Sequence, residues 1–229
     1  MKQNELSEQY KKTVLTLRRA IGILGILLPA IVAVGAVTLG DCTGIQKSIS
    51  VYYNTVMRNV LISILSALAF FMFAYRGYDY KDRIVGILTF IFALGIAFFP
   101  PAGEMIINCD YIIPQLQRPG WVRFVHLASA MLFFITLSVN SFFLFTRTDS
   151  KNVIFTPEKK KRNILYRTCG LVIFGSLILI TVWMWFFENK YPELEKYHPV
   201  FWLETLALAA FGISWLVKGE VALKDKNQI

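Results

Sequence analysis

The chain has 229 residues, of which 55% are hydrophobic and 17% are charged, and its formal net charge is +9. This composition excludes an ordinary soluble domain and is typical of a membrane protein of one domain. The basic residues stand in short segments between long apolar runs, so they indicate membrane topology and exclude a nucleic-acid partner.

Six apolar runs predict an all-α, polytopic membrane protein with a six-helix transmembrane bundle in a single domain, 1–229. The predicted spans are 20–40, 56–75, 84–99, 121–145, 164–187 and 199–217. The first run is longer than the apolar core of a signal peptide, so it is predicted to be an uncleaved helix. Its Gly22, Gly25 and Pro29 share a face, which predicts close packing against a neighbouring helix.

The Lys and Arg residues predict the orientation of the chain. Alternate segments, beginning with the N-terminal one, hold 18 basic residues, whereas the other three hold 6. The positive-inside rule then places both termini in the cytoplasm. The basic stretch TPEKKKR predicts a helix start, with Thr156 as N-cap and Pro157 at the first helical position. We interpret its basic residues as a topology signal rather than as a binding site for anionic lipid head groups.

The fourth run carries a polar stripe. His126, Ser129, Thr136 and Asn140 lie on one face of a helix. Unsatisfied polar groups are costly in hydrocarbon, so the stripe is expected to face other helices or a wet cavity. Interhelical hydrogen bonding is preferred for Ser129, Thr136 and Asn140, while both a structural and a functional role stay open for His126.

The second run has a similar stripe, which begins at Asn59. Arg58 precedes it at the outer boundary of the membrane, where it either binds a ligand or extends towards the lipid head groups. Tyr52 and Tyr53 lie just before it, at the depth of an interfacial aromatic belt.

The three cysteines divide into two groups. Cys42 and Cys109 are predicted to lie on the same non-cytoplasmic side, where disulfides persist, so they are predicted to be bonded. Cys169 falls within the fifth span and is expected to be a small apolar filler. There is no CxxC pair and no Cys/His ligand spacing, so a zinc site built on cysteine is not predicted. Two histidines with one or two carboxylates could form a metal site, but nothing fixes their spacing, so no metal or cofactor is assigned.

The last run begins YHPVFWLE, which places His198 at the N-cap of a helix with Pro199 at its first position. A helix N-terminus favours a bound anion. Glu204 is expected in the outer half of the bilayer, where a carboxylate needs Arg58, a histidine or a proton as its partner.

Three segments resemble a known family when they are taken in order. They are Ser48 to Leu61, HLASAMLFF at His126, and the closing YHPVFWLETLALAAFGISWLVKGE. Together they resemble an uncharacterised bacterial family of six-helix membrane proteins. That family is distantly similar to the DRAM-type autophagy modulators and to the FGF-receptor-activating proteins of GPI-lipid remodelling. The resemblance implies the fold and a bacterial inner (plasma) membrane location, but Asn59 stands where many relatives have an acidic residue.

The topology predicts a common polar site. The second, fourth and sixth spans all begin on the outer side, so their first polar residues share a depth. We expect an outward-opening pocket for the anionic or zwitterionic head group of a membrane lipid, in which Arg58 contacts phosphate or carboxylate. The predicted ligand residues are Arg58, His126, His198, Glu204, Asn59 and Ser129, with Tyr52, Tyr53 and Trp202 bordering the acyl entrance.

Other functions stay open at this point. A metal-dependent membrane lipid hydrolase lacks support from an HExxH helix or a nucleophile elbow, and a small transporter lacks support from an inverted repeat. The same polar residues also fit a purely structural role. Lipid binding is favoured by elimination, with a second copy of the chain or another membrane protein as a further partner.

Overall fold

The computed structural model of the chain describes residues 2–75, 77, 79–101, 109, 119–147 and 156–224. These residues form six long α-helices and contain no β-strand, which confirms the all-α prediction for this part of the chain. The helices are α1 (Lys2–Gly40), α2 (Arg58–Ala74), α3 (Tyr80–Phe98), α4 (Gly120–Val139), α5 (Pro157–Val182) and α6 (Pro199–Lys218).

Several helix ends differ from the predicted spans. Helix α1 begins at Lys2, because the polar residues before the first apolar run continue the same helix. Helices α4 and α5 end in π-helical turns, Asn140–Leu144 and Trp183–Phe187. The predicted start of α5 is confirmed, since the Thr156 side chain accepts a hydrogen bond from the Lys159 backbone N–H at 3.1 Å.

Four segments are long and apolar enough to cross a membrane, namely Asn4–Leu39, Gly120–Leu144, Pro157–Phe187 and Pro199–Lys218. Helix α2 is apolar but has only 17 residues. Helix α3 has Lys81, Asp82 and Arg83 in its first turn. The chain thus has the apolar helices of a multi-pass membrane protein.

Helices α1 and α6 cross with their backbones in contact. A Cβ atom on Gly22 would lie 2.8 Å from the Gly212 carbonyl oxygen, and one on Gly212 would lie 2.5 Å from the Gly22 carbonyl oxygen. A Cβ atom on Gly25 would lie 2.8 Å from Cδ1 of the Phe211 ring, so the close packing predicted for Gly22 and Gly25 is confirmed. Trp215, fully buried, continues this core towards Arg18 in the middle of α1 and Lys218 at the end of α6.

The helix bundle has two ends with different side chains and loops. The disulfide end carries residues 41–57 and 188–198, and the terminal end carries Arg18 and Lys218. Near the terminal end α4 and α5 lie close together, as shown by the hydrogen bond of 2.9 Å that the Ser138 hydroxyl donates to the Gly170 carbonyl. At the disulfide end the same two helices leave a space between them.

Candidate functional site

A cavity of about 520 Å³ lies between α4, α5 and the start of α6, at the disulfide end. Its inner walls come from one face of α4 and one face of α5. They are apolar and comprise Leu127, Ala130, Met131, Phe134, Leu177 and Ile180. Its charged residues and histidines gather where the helices reach the loops, and they comprise Lys47, Arg123, His126, Glu188, Glu195, His198 and Glu204. The cavity is therefore amphipathic along its length.

His126 of α4 is held by a contact with the end of α3. Its side chain is buried, and its Nδ1 lies 2.7 Å from the Phe99 carbonyl oxygen at the end of α3. A carbonyl oxygen only accepts hydrogen bonds, so Nδ1 carries the hydrogen and Nε2 of the neutral ring is an acceptor. The end of α3 therefore fixes the orientation of this ring at the cavity wall.

His198 occupies the N-cap of α6, as predicted, and has a left-handed backbone with φ 51° and ψ 52°. Such a conformation costs a non-glycine residue about 1–3 kcal/mol. Its Nδ1 is buried and has no hydrogen-bond partner among the described residues. Burial lowers the pKa of this imidazole; nearby Glu195 opposes the shift and Lys47 adds to it. The ring is therefore mostly neutral at pH 7.

The loop of residues 41–57 is bound by two contacts to α6 and by one to the turn Pro192–Tyr197 that precedes it. The Glu204 carboxylate accepts a hydrogen bond from the Ile49 backbone N–H at 2.7 Å. The Phe201 backbone N–H donates to the Lys47 carbonyl at 3.0 Å, and the Lys47 ammonium pairs with the Glu195 carboxylate. Glu204 thus holds the loop in place, and it forms no ion pair with Arg58.

Arg58, which the sequence assigned to the head-group contact, lies outside the cavity. Its Nε donates to the Tyr53 carbonyl at 2.7 Å, and its guanidinium lies 4.7 Å from the centre of the Tyr53 ring. Because this local contact turns the side chain back on its own loop, it does not reach α6. The neighbouring Asn59 is exposed and also lies away from the cavity.

The remaining predicted ligand residues have other neighbours. Tyr52 is fully buried, and its hydroxyl accepts a hydrogen bond from the Gln46 backbone N–H at 3.1 Å. It belongs to the core of the loop rather than to an acyl entrance. Ser129 packs against Gly95 of α3, and Trp202 is 53% exposed. Of the nine predicted ligand residues, only His126, His198 and Glu204 line the cavity.

Sequence reasoning missed several contributors to the cavity, among them Lys47, Glu188, Glu195, Arg123 and the wall from α5. Arg123 lies one helical turn before His126 on α4, and this spacing was a usable signal. The wall from α5, which includes Leu177, Ile180 and Met184, had no polar stripe to distinguish it from a lipid-facing surface.

The predicted Cys42–Cys109 disulfide is confirmed. The Cys109 sulfur also lies 3.3 Å from Nε2 of Gln46, whose side chain is fully buried. Cys169 is free and buried, in agreement with its expected role as a filler.

Within the described ranges, no group of three or more His, Cys, Asp or Glu residues is placed to hold a metal ion. No protein-family model, no curated protein and no solved structure matches this chain. The family resemblance drawn from the sequence therefore stays a prediction.

Proposed function

We propose that this protein spans the membrane six times, with both termini in the cytoplasm, and binds an amphiphile in the cavity between α4 and α5. Four apolar helices support a multi-pass protein. The 17 residues of α2 extend about 26 Å and lie at the lower limit for a span. The charged first turn of α3 would lie at the cytoplasmic surface. The resemblance to a bacterial family favours the inner membrane.

The observation that carries the proposal is the division of the cavity into a polar end and an apolar groove. A lipid has the same division, because its head group needs polar partners and its acyl chain needs apolar walls. Met131 and Trp185 line the cavity and are 46% and 81% exposed. Their exposure supports a lateral opening to the bilayer, through which a lipid could enter.

The charges at the polar end favour a zwitterionic head group over an anionic one. Arg123 offers a guanidinium, which binds phosphate oxygens in a bidentate manner. Glu188 offers a carboxylate, and it forms no ion pair with another described residue. A phosphate with a tethered ammonium would satisfy both groups, whereas an anionic lipid would leave the carboxylate without a partner.

Lipid extracted from protein purified in a mild detergent would test the proposal by mass spectrometry. We expect zwitterionic phospholipid at close to one molecule per chain, and we expect Arg123→Gln to reduce it at least threefold. Arg58→Gln makes the same change of charge outside the cavity and should leave the bound lipid unchanged. Equal loss in both variants, or no retained lipid in the native protein, would contradict the proposal.

A further inference from the structure

A second cavity, of about 370 Å³, lies at the terminal end of the bundle. It is formed by α1, α5, the end of α6 and the segment that follows α6. Its lining contains six cationic side chains, Lys11, Arg18, Lys159, Arg162, Lys218 and Lys224, and one anionic side chain, Glu220. The cavity between α4 and α5 has no comparable excess of positive charge.

Main-chain oxygens hold several of these cations in fixed positions. Arg18 donates from Nη1 to the Lys218 carbonyl at 3.1 Å, and Arg162 donates from Nη1 to the Leu223 carbonyl at 2.6 Å. Lys159 donates from Nζ to the Arg147 carbonyl at 3.3 Å. These bonds orient the side chains without cancelling their formal charge, so the cavity stays electropositive.

Lys218 forms the inner part of this cavity. It is only 8% exposed, and its Nζ lies 5.3 Å and 6.0 Å from the ring centres of Phe145 and Tyr166. The Nε of Arg18 is likewise buried, with no acceptor among the described residues. Burying cations side by side is costly unless an anion lies between them.

We propose that this cavity is a binding site for a phosphate group, carried either by an anionic lipid or by a small soluble molecule. A phosphate has two or more non-bridging oxygens, and these accept charge-assisted hydrogen bonds from several cations at once. The volume of about 370 Å³ exceeds what one phosphate needs and leaves space for the group to which it is esterified. The site is independent of the amphiphile cavity, because the two lie at opposite ends of the bundle.

The test is thermal unfolding of the purified full-length chain in a neutral detergent at constant ionic strength. One arm adds inorganic phosphate. The other adds phosphatidylglycerol, with phosphatidylcholine, whose head group is zwitterionic with zero net charge, as the comparison. The lining variant is Lys11→Gln with Lys224→Gln, two cations with no hydrogen bond to another described residue. The matched control is Lys12→Gln with Lys160→Gln, which removes the same charge from exposed positions outside the cavity.

We expect at least one probe to raise the unfolding temperature. The lining variant should weaken its apparent affinity by about fivefold or more, and the control variant by less than twofold. Stabilisation by phosphatidylglycerol alone supports a lipid source, and stabilisation by inorganic phosphate alone supports a soluble one. Stabilisation by both probes supports a site that binds the phosphate group whatever molecule carries it. The proposal is overturned if neither probe stabilises, or if both variants weaken binding equally.

Discussion

The α1–α6 crossing and the α4–α5 pair at the disulfide end show two ways of joining neighbouring helices. At the crossing, Gly22 and Gly212 bring two backbones together and leave no space for a side chain. At the disulfide end, α4 and α5 diverge around a cavity of about 520 Å³. Helices in a membrane associate through packing rather than through exclusion of water. A gap between two helices therefore needs other contacts to keep it in one shape.

Those contacts come from the loops in this protein. The Cys42–Cys109 disulfide, the Lys47–Glu195 ion pair and the bond from Ile49 to Glu204 all lie at the disulfide end. The crossing needs no such bracing. The comparison predicts that the disulfide end is sensitive to loop chemistry, whereas the crossing is sensitive to side-chain volume.

Loss of the disulfide should have the largest effect. The bond closes a loop with a sequence separation of 67, and a disulfide of this kind contributes about 2–4 kcal/mol by restricting the unfolded chain. Reductant should lower the unfolding temperature of the native protein. The Cys42→Ser, Cys109→Ser double variant should start at the lowered temperature and show no response to reductant. If that variant matched the oxidised native protein, the loops would not brace this end.

Adding a methyl group at the crossing should have the next largest effect. Gly212→Ala places a Cβ 2.5 Å from a backbone oxygen of α1, so the helices must separate at a cost of about 1–3 kcal/mol. Gly175→Ala on α5 is the matched control, because a Cβ there has no other atom within 4 Å. Thermal unfolding should rank Gly212→Ala well below Gly175→Ala. Equal values would show that the crossing is not tightly packed.

The Glu204 contact should be weaker than the crossing but still measurable. Glu204→Leu leaves the Ile49 N–H without its acceptor, which costs about 1–3 kcal/mol. Glu204→Gln keeps an acceptor oxygen and should recover most of that loss. Hydrogen exchange at Ile49 would report the contact directly. Exchange that is equally slow in native protein and Glu204→Leu would contradict this role.

His198 should give the smallest effect, visible as a pH dependence. Its pKa is lowered by burial in the folded protein, so the unfolded chain takes up the proton first as the pH falls. The free energy of unfolding should therefore decrease as the pH is lowered from about 6.5 to the folded-state pKa. His198→Asn suits the left-handed backbone and removes the proton site. Its stability should change less over this pH range, and an equal change would remove His198 as the cause.

The sequence was informative about helices and much less so about their neighbours. The long apolar runs predicted the helices correctly, and the glycines at positions 22 and 25 predicted correctly that α1 packs closely against a neighbouring helix. Both signals are local in the sequence. The sequence TPEK at the N-terminus of α5 likewise predicted where that helix begins, because Thr156 is a good N-cap and Pro157 suits the first helical position. The starting point of α1 was missed, since residues 2–19 have no apolar run yet continue the helix.

The cavity could be predicted only in part. The predicted depth of His126, His198 and Glu204 in the membrane led us to expect them in one pocket, and these three residues do line one cavity. The depth of a residue does not determine the direction of a long side chain. Arg58 was therefore predicted to line the pocket, whereas its guanidinium contacts Tyr53 outside it. The α5 wall had no polar residue pattern, and apolar walls facing a cavity look the same in sequence as walls facing lipid.

The central claim, that the α4–α5 cavity holds an amphiphile, is tested most directly by filling it. Ala130 lines the cavity, whereas the nearby Leu132 on the same helix does not and is 36% exposed. Native mass spectrometry would count bound lipid in Ala130→Trp and in the control Leu132→Trp. We predict that Ala130→Trp loses most of its bound lipid while Leu132→Trp retains the native amount. Equal lipid occupancy in both folded variants would contradict the account.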